Sequence, residues 1–112
     1  MTKEAVQILI DNLEMEINNG GFDQFYFNSA GDYASETVEA LKAIEAIHTS
    51  KIVQSSIDKF PNKLVPKDRN KRQNILIKIS PDSELFESQD EEFYEYQDDL
   101  GNLLKIYTKT DY

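Results

Sequence analysis

The sequence predicts an all-α protein that forms a single compact domain of five or six helices. Apolar residues recur at spacings of three and four along most of the chain, the period of a helix with one buried side. Residues typical of helix caps and turns separate these periodic stretches. A length of 112 residues suits one small domain, so we expect residues 1–112 to fold as one unit.

The first helix is predicted to start at Thr2, a suitable N-cap, and to stop at residues 18–21, Asn-Asn-Gly-Gly. Because glycine tolerates the left-handed conformation that ends helices, we expect a positive φ at Gly20 or Gly21. Residues 22–27 contain four aromatic side chains and predict one or two helical turns. So many rings in a short segment indicate core, with Phe22 and Phe25 pointing inward together.

Residues 29–32 form a connection, after which Ser35 is predicted to cap a second long helix. A third helix is predicted from Thr49 or Ser50 and ends at Pro61. The predicted buried positions are Val38, Leu41, Ile44 and Ile47 in the second helix and Ile52, Val53, Ile57 and Phe60 in the third.

The second half begins with a loop over residues 61–67, and Asp68 is the predicted cap of the following helix. Isoleucines alternate over residues 75–79 as they would in a strand, but a lone strand would lack a partner, so we favour a helix. One last helix is predicted after Pro81. Its apolar positions are Phe93, Tyr96, Leu100, Leu103, Leu104 and Tyr107.

Composition excludes several kinds of chemistry. The chain has no cysteine and one histidine, His48, so it offers neither a thiolate metal site, a cysteine nucleophile nor a set of imidazoles. No glycine-rich phosphate loop is present, and the acidic residues crowd in polar runs where carboxylates stay ionised. We therefore expect no enzyme, with no catalytic residues, metal or cofactor.

The net charge of −9 argues against direct binding of nucleic acid or an anionic membrane and permits a basic partner. The apolar stretches are too short to span a membrane, and the N-terminus lacks the pattern of a signal peptide. A cytoplasmic protein is expected. The charge is unevenly spread, since residues 82–99 contain nine acids and no base.

Six acids near the end of this segment form the predicted partner-binding surface: Asp90, Glu91, Glu92, Glu95, Asp98 and Asp99. On one continuous helix, four of them would share a side: Glu91, Glu95, Asp98 and Asp99. Their density along the helix would be about 2.3 Å per charge, close to the roughly 1.7 Å of duplex DNA. The alternative is a solvated face that binds nothing.

The decapeptide at residues 19–28 allows two interpretations, which concern Asn19, Gly20, Gly21, Phe22, Gln24 and Asn28. A small polar site, which would make the protein an enzyme or a small-ligand binder, would present the three amides beside an aromatic wall. A structural role would use the glycines for a bend, the amides for capping and the rings for the core. Four bases further along could bind phosphate or could pair with the protein's own acids on a solvated helix face: Lys67, Arg69, Lys71 and Arg72.

The same decapeptide, Asn-Gly-Gly-Phe-Asp-Gln-Phe-Tyr-Phe-Asn, is followed by Gly31-Asp32-Tyr33 and later by Phe60-Pro61, Arg72 and Glu91-Glu92-Phe93-Tyr94. These features resemble a bacterial family most of whose members have no assigned function and whose characterised relative is a DNA-mimic protein. The resemblance implies a helical fold, a homodimer, no catalytic residues, and surface carboxylates that imitate DNA phosphates towards a basic DNA-binding protein. One departure is Glu45, where the family pattern leads us to expect glycine, which puts the close packing of that helix end in doubt.

Overall fold

The first helix is the element against which most of the other helices pack. A computed structural model describes residues 1–109, in which six α-helices and no strand occur, so the predicted all-α fold is confirmed. The helices are α1 (Lys3–Phe27), α2 (Ala34–Ala43), α3 (Ile47–Ile57), α4 (Arg69–Ile79), α5 (Glu87–Tyr94) and α6 (Leu100–Lys109), with short 3₁₀ helices at Ser29–Tyr33 and Pro61–Lys63. Helices α2, α4, α5 and α6 pack against α1, and α3 packs on α2 and α5.

A glycine pair bends α1 near its C-terminal end. Gly21 has φ 72° and ψ −172°, a region that residues with a side chain rarely adopt, and the expectation of a positive φ at one of the two glycines is confirmed. The chain bends there rather than stopping, because helical geometry resumes at Phe22. At the other end, the Ala5 N–H donates to the hydroxyl of Thr2, so the predicted N-cap is also confirmed.

The aromatic segment that follows the bend supplies the centre of the core. Phe22, Phe25 and Tyr26 are buried, and their rings contact one another and rings from the second half of the chain. The Tyr26 ring lies 4.8 Å from that of Phe60 and 5.3 Å from that of Phe86, centroid to centroid. Phe27 is different, since 46% of it is exposed.

The guanidinium of Arg72 is fully buried and joins three segments of the chain. Its Nε donates to the Tyr26 carbonyl, Nη2 donates to Asn28 O and to the Asp32 carboxylate, and Nη1 donates to two carbonyls of the loop before α4. Hydrogen bonds from Arg69 and from Arg72 hold the pKa of Asp32 below its ordinary value. The prediction that Arg72 lies on a solvated face is wrong, because the carbonyls at the end of α1 require a buried donor.

The boundary between α2 and α3 differs from the prediction. Helix α2 begins at Ala34 with Tyr33 in the cap position, so Ser35 is not its cap. It ends at Ala43, and Ile47, predicted to be buried in α2, is 46% exposed at the start of α3. The other seven predicted core positions of these helices are buried, from Val38 to Phe60.

Glu45 explains why the chain turns here. It has φ 66°, and the Ala46 N–H donates to Leu41 O while the Glu45 N–H donates to Lys42 O. This pair of hydrogen bonds is the Schellman motif, whose left-handed residue is most often glycine. The glycine expected at this position would suit the conformation, and the helix end nevertheless packs closely, with Ile44 and Ala46 buried.

Helix α4 confirms the helical interpretation of residues 75–79, and Asp68 caps it by accepting a hydrogen bond from the Lys71 N–H. The prediction of a single last helix is wrong. Tyr96 adopts φ 47°, so the chain forms α5 and α6 with a turn over residues 95–99 between them. Leu100 and Leu104 are buried on α6 as predicted. No helix among residues 1–109 is long and apolar enough to cross a membrane.

Replacing Gly21 with alanine should lower the free energy of unfolding by at least about 2 kcal/mol, because its backbone lies in a region open almost only to glycine. The added Cβ would also lie 2.6 Å from Oδ2 of Asp90. Gly101→Ala is the matched control: Gly101 lies in α6, where an added Cβ would lie 3.8 Å from Oδ1 of Asp99 without a clash, so alanine should stabilise by about 0.5–1 kcal/mol. Urea unfolding measures both. Equal stability of the Gly21 variant and the wild type would contradict the bend.

Replacing Arg72 with methionine should lower the free energy of unfolding by about 3–5 kcal/mol, because the Asp32 carboxylate and several carbonyls would lose their buried donor. Arg69→Met is the control, since that side chain is half exposed and the loss of its solvent-screened ion pair with Asp32 should destabilise the protein far less. Similar losses for the two variants in urea unfolding would show that the buried guanidinium is dispensable.

Candidate functional site

The acidic segment at residues 82–99 lacks basic partners within the part of the chain that the structure describes. The ion pairs of residues 1–109 lie elsewhere: Lys42 with Glu39, Lys67 with Glu36, and Arg69 and Arg72 with Asp32. Lys59 does contact the segment, but its ammonium donates to the carbonyl of Leu85. The carboxylates here are therefore not neutralised by the fold.

Three of the six predicted partner-binding acids are helix caps. Oδ1 of Asp90 accepts the Phe22 N–H at 2.7 Å, where helical geometry resumes after the bend in α1. Oδ2 of Asp98 accepts the N–H of Thr49 at 2.7 Å and its hydroxyl at 3.0 Å, in the first turn of α3. Asp99 Oδ1 accepts the N–H of Asn102 at 3.1 Å, in the first turn of α6. These aspartates satisfy N–H groups that have no partner within their own helix.

The prediction that Glu91, Glu95, Asp98 and Asp99 share one side of a helix is wrong. Helix α5 ends at Tyr94, and the turn that follows carries both aspartates away from it. The residue types themselves indicate which of the six acids act as caps and which stay free. Aspartate is among the best N-capping residues, whereas the glutamate side chain is longer and is not preferred there.

Four glutamates remain as a coherent acidic surface, which we call the acidic face of α5: Glu87, Glu91, Glu92 and Glu95. All four are exposed, and none forms an ion pair among residues 1–109. Glu87 lies outside the predicted set, although its spacing of four from Glu91 would have placed it on the same side.

The geometry of this face follows from helical spacing. Glu87, Glu91 and Glu95 stand four residues apart, and Glu95 keeps helical angles as the C-cap, with φ −72° and ψ −19°. The buried Gln89 and Phe93 hold the opposite side against the core. Eight residue steps span about 12 Å, which gives roughly 3 Å per carboxylate. One strand of duplex DNA carries a charge about every 3.4 Å along its axis. The mean charge spacing of the face therefore approximates that of one DNA strand rather than of both strands together.

The decapeptide has mainly a structural role. Phe22 is in the core, the side-chain amide of Asn28 donates to the Glu16 carboxylate at 2.7 Å, and Asn19 is exposed. Of the three amides predicted to form a small polar site, Gln24 lines the cleft beside the bend and the other two do not. The structure does not bring the three amides together.

That cleft lies between the bent end of α1, the C-terminal end of α4 and α5, with a volume of about 470 Å³. Asp23 and Asp90 both line it. Burial raises the pKa of Asp23, and a hydrogen bond from Ser80 lowers it by a smaller amount. Burial also raises the pKa of Asp90, with a further contribution from the negative charge of Asp23, while the Phe22 N–H acts in the opposite direction.

The predicted basic cluster pairs largely with the protein's own acids. Lys67 binds Glu36 and Arg69 binds Asp32, as one of the two interpretations expected, whereas Arg72 lies in the core and Lys71 is exposed.

His48 is exposed at the start of α3. Among residues 1–109, no group of three or more His, Asp or Glu side chains is arranged to hold a metal ion.

Comparison with known proteins gives one match. The sequence model described as DMP19-like protein matches residues 2–111, which include all six helices. No curated protein and no solved structure gives a significant match.

Replacing Asp98 with alanine should lower the free energy of unfolding by about 1–2 kcal/mol, because the first turn of α3 would lose its cap and α3 has no capping side chain of its own. Glu91→Ala removes one acid from the exposed face of α5 and should stay within about 0.5 kcal/mol of the wild type. Thermal and urea unfolding of the two variants make the comparison. Equal effects would mean that Asp98 does not act as a cap.

Proposed function

The chain belongs to the DMP19-like protein family, and from this membership we propose that it is a non-enzymatic interaction protein that occupies the DNA-binding surface of a basic protein by mimicking DNA. The resemblance described above implies that the characterised relative in this family is a DNA mimic. The observation that carries the proposal is the acidic face of α5, where four exposed carboxylates lie free of ion pairs within the described chain.

Unpaired surface carboxylates suit this function for an electrostatic reason. A protein that binds DNA without reading its bases does so through lysine and arginine contacts to evenly spaced phosphates. Carboxylates at a similar spacing offer the same basic side chains a comparable set of charges. A carboxylate already paired with a lysine of its own chain would first have to give up that interaction, which the four glutamates do not.

The position of the face on a helix also matters. The core side chains Gln89 and Phe93 fix the orientation of α5, so the glutamates are presented by a rigid element rather than by a loop. Charges held in a fixed array match a basic surface with a smaller loss of conformational freedom on binding.

The remaining parts of the proposal concern setting and assembly. A partner that normally binds DNA would be met in the cytoplasm, and we propose that location. We also propose that the protein binds no nucleic acid or membrane itself and needs no cofactor. A homodimer, as the resemblance implies, would present two acidic faces to a partner that is itself two-fold symmetric.

The proposal predicts competition with DNA. The protein should capture a basic DNA-binding protein from the lysate of its source cell at low salt and release it at high salt, because contacts between exposed charges are screened. Fluorescence anisotropy of a labelled duplex bound to that captured protein should then fall as the acidic protein is added. Changing Glu87, Glu91, Glu92 and Glu95 together to glutamine should abolish this competition.

A second quadruple variant controls for net charge. It neutralises four exposed acids outside α5, namely Glu4, Asp11, Glu39 and Glu45, and so changes the total charge by the same amount. It should still compete with DNA. If the control loses competition and the α5 variant retains it, the binding surface lies on the acidic first half of the chain. Equal weakening by both variants would mean that only net charge matters.

A further inference from the structure

The cleft beside the bend of α1 combines two carboxylates with exposed apolar side chains. Asp23 and Asp90 line it, and no lysine or arginine among residues 1–109 does. Its walls include apolar side chains from α1 and α4 and from the turn after α4, among them Phe27, Ile77 and Pro81.

The two carboxylates form a negatively charged centre that the described chain leaves without a cation. Neither Asp23 nor Asp90 takes part in an ion pair among residues 1–109. Asp90 cannot turn away from the cleft without losing its hydrogen bond to the Phe22 N–H. The partial burial and mutual repulsion described above make the site more favourable for an added positive charge.

Two apolar side chains in the walls of the cleft are exposed to solvent. Phe27 is 46% exposed and Ile77 is 61% exposed, although their neighbours Tyr26 and Leu76 are buried. An occupant with an apolar stem and a cationic end would cover this surface and place its charge at the carboxylates. Lysine and arginine side chains have that construction.

We propose that this cleft is the pocket in which an arginine side chain of the basic partner is anchored, an inference that rests on the proposed function. The planar guanidinium can stack on the ring of Phe27 while its fork of donors binds carboxylate oxygens. An ammonium is a compact and more strongly hydrated charge that gains less from a partly apolar cleft. Arginine is also enriched where binding energy is concentrated in interfaces.

The pocket adjoins the acidic face of α5, because Asp90 belongs to the same helix and the charge of Glu87 contributes to raising its pKa. The glutamates would then attract the partner, and the cleft would hold one of its side chains. Desolvated anchors of this kind govern the rate of dissociation more than the rate of association.

The test uses small probes, so that it does not depend on finding the partner. N-acetyl-arginine methylamide is titrated into the ¹⁵N-labelled protein, and amide chemical shifts report where it binds. Saturable shifts are expected at residues 20–27 and 76–81. The citrulline analogue has the same shape without the charge and should cause no saturable shift there. The lysine analogue should bind more weakly, and equal or tighter binding of lysine would overturn the assignment to arginine.

Variants of the cleft complete the test. Asp23→Asn should weaken binding of the arginine probe about fivefold, and Phe27→Ala should weaken it about threefold. Glu91→Gln removes a charge outside the cleft and should leave the affinity nearly unchanged. Unsaturable shifts, or the same affinity in the Asp23 variant, would refute the pocket. Binding of the probe together with failure of the DNA competition would refute the proposed function alone.

Discussion

The buried guanidinium of Arg72 determines how the first half of the chain meets the second. Its acceptors include the carbonyls of Tyr26 and Asn28, which lie at the end of α1 where a helix leaves carbonyls without partners. Burying a charge is costly, so this position is stable only with every donor satisfied, and each of its donor atoms has a partner. A Cβ at position 31 would lie 2.7 Å from the Phe25 carbonyl oxygen and 2.9 Å from Nε of Arg72, which explains why glycine is needed there.

Asp90 fixes the other end of the aromatic segment. Its carboxylate accepts the first N–H after the bend, and the absence of a side chain at Gly21 allows this close approach. Asp90 and Arg72 together hold the short helical stretch between them in its observed rotation. That rotation turns Phe22 and Tyr26 into the core and leaves Phe27 facing outward. The apolar wall of the cleft is therefore a consequence of the same contacts that build the core.

Local patterns in the sequence predict the helices and several of their ends, because a cap such as Thr2 or Asp68 acts on residues three positions away. The break at Tyr96 could not be predicted in this way. The apolar period runs on from Phe93 to Leu100, and a left-handed residue other than glycine has no reliable local signal. Contacts between distant residues also cannot be predicted from local patterns. Asp98 and Thr49 are 49 positions apart in the sequence, and Arg72 and Asp32 are 40 positions apart. These contacts decide which of the predicted site residues remain free.

The acidic segment illustrates why net charge is a poor measure of mimicry. Asp98 and Asp99 already accept N–H groups in the first turns of α3 and α6, so they contribute little to an array of free carboxylates. In contrast, the glutamates of α5 extend into solvent and form no ion pair among residues 1–109. A chain with aspartate and glutamate exchanged would keep the charge of −9 but would place glutamate, which is not a preferred N-cap, at the capping positions. The number of charges matters less for such a surface than which of them the fold leaves unused.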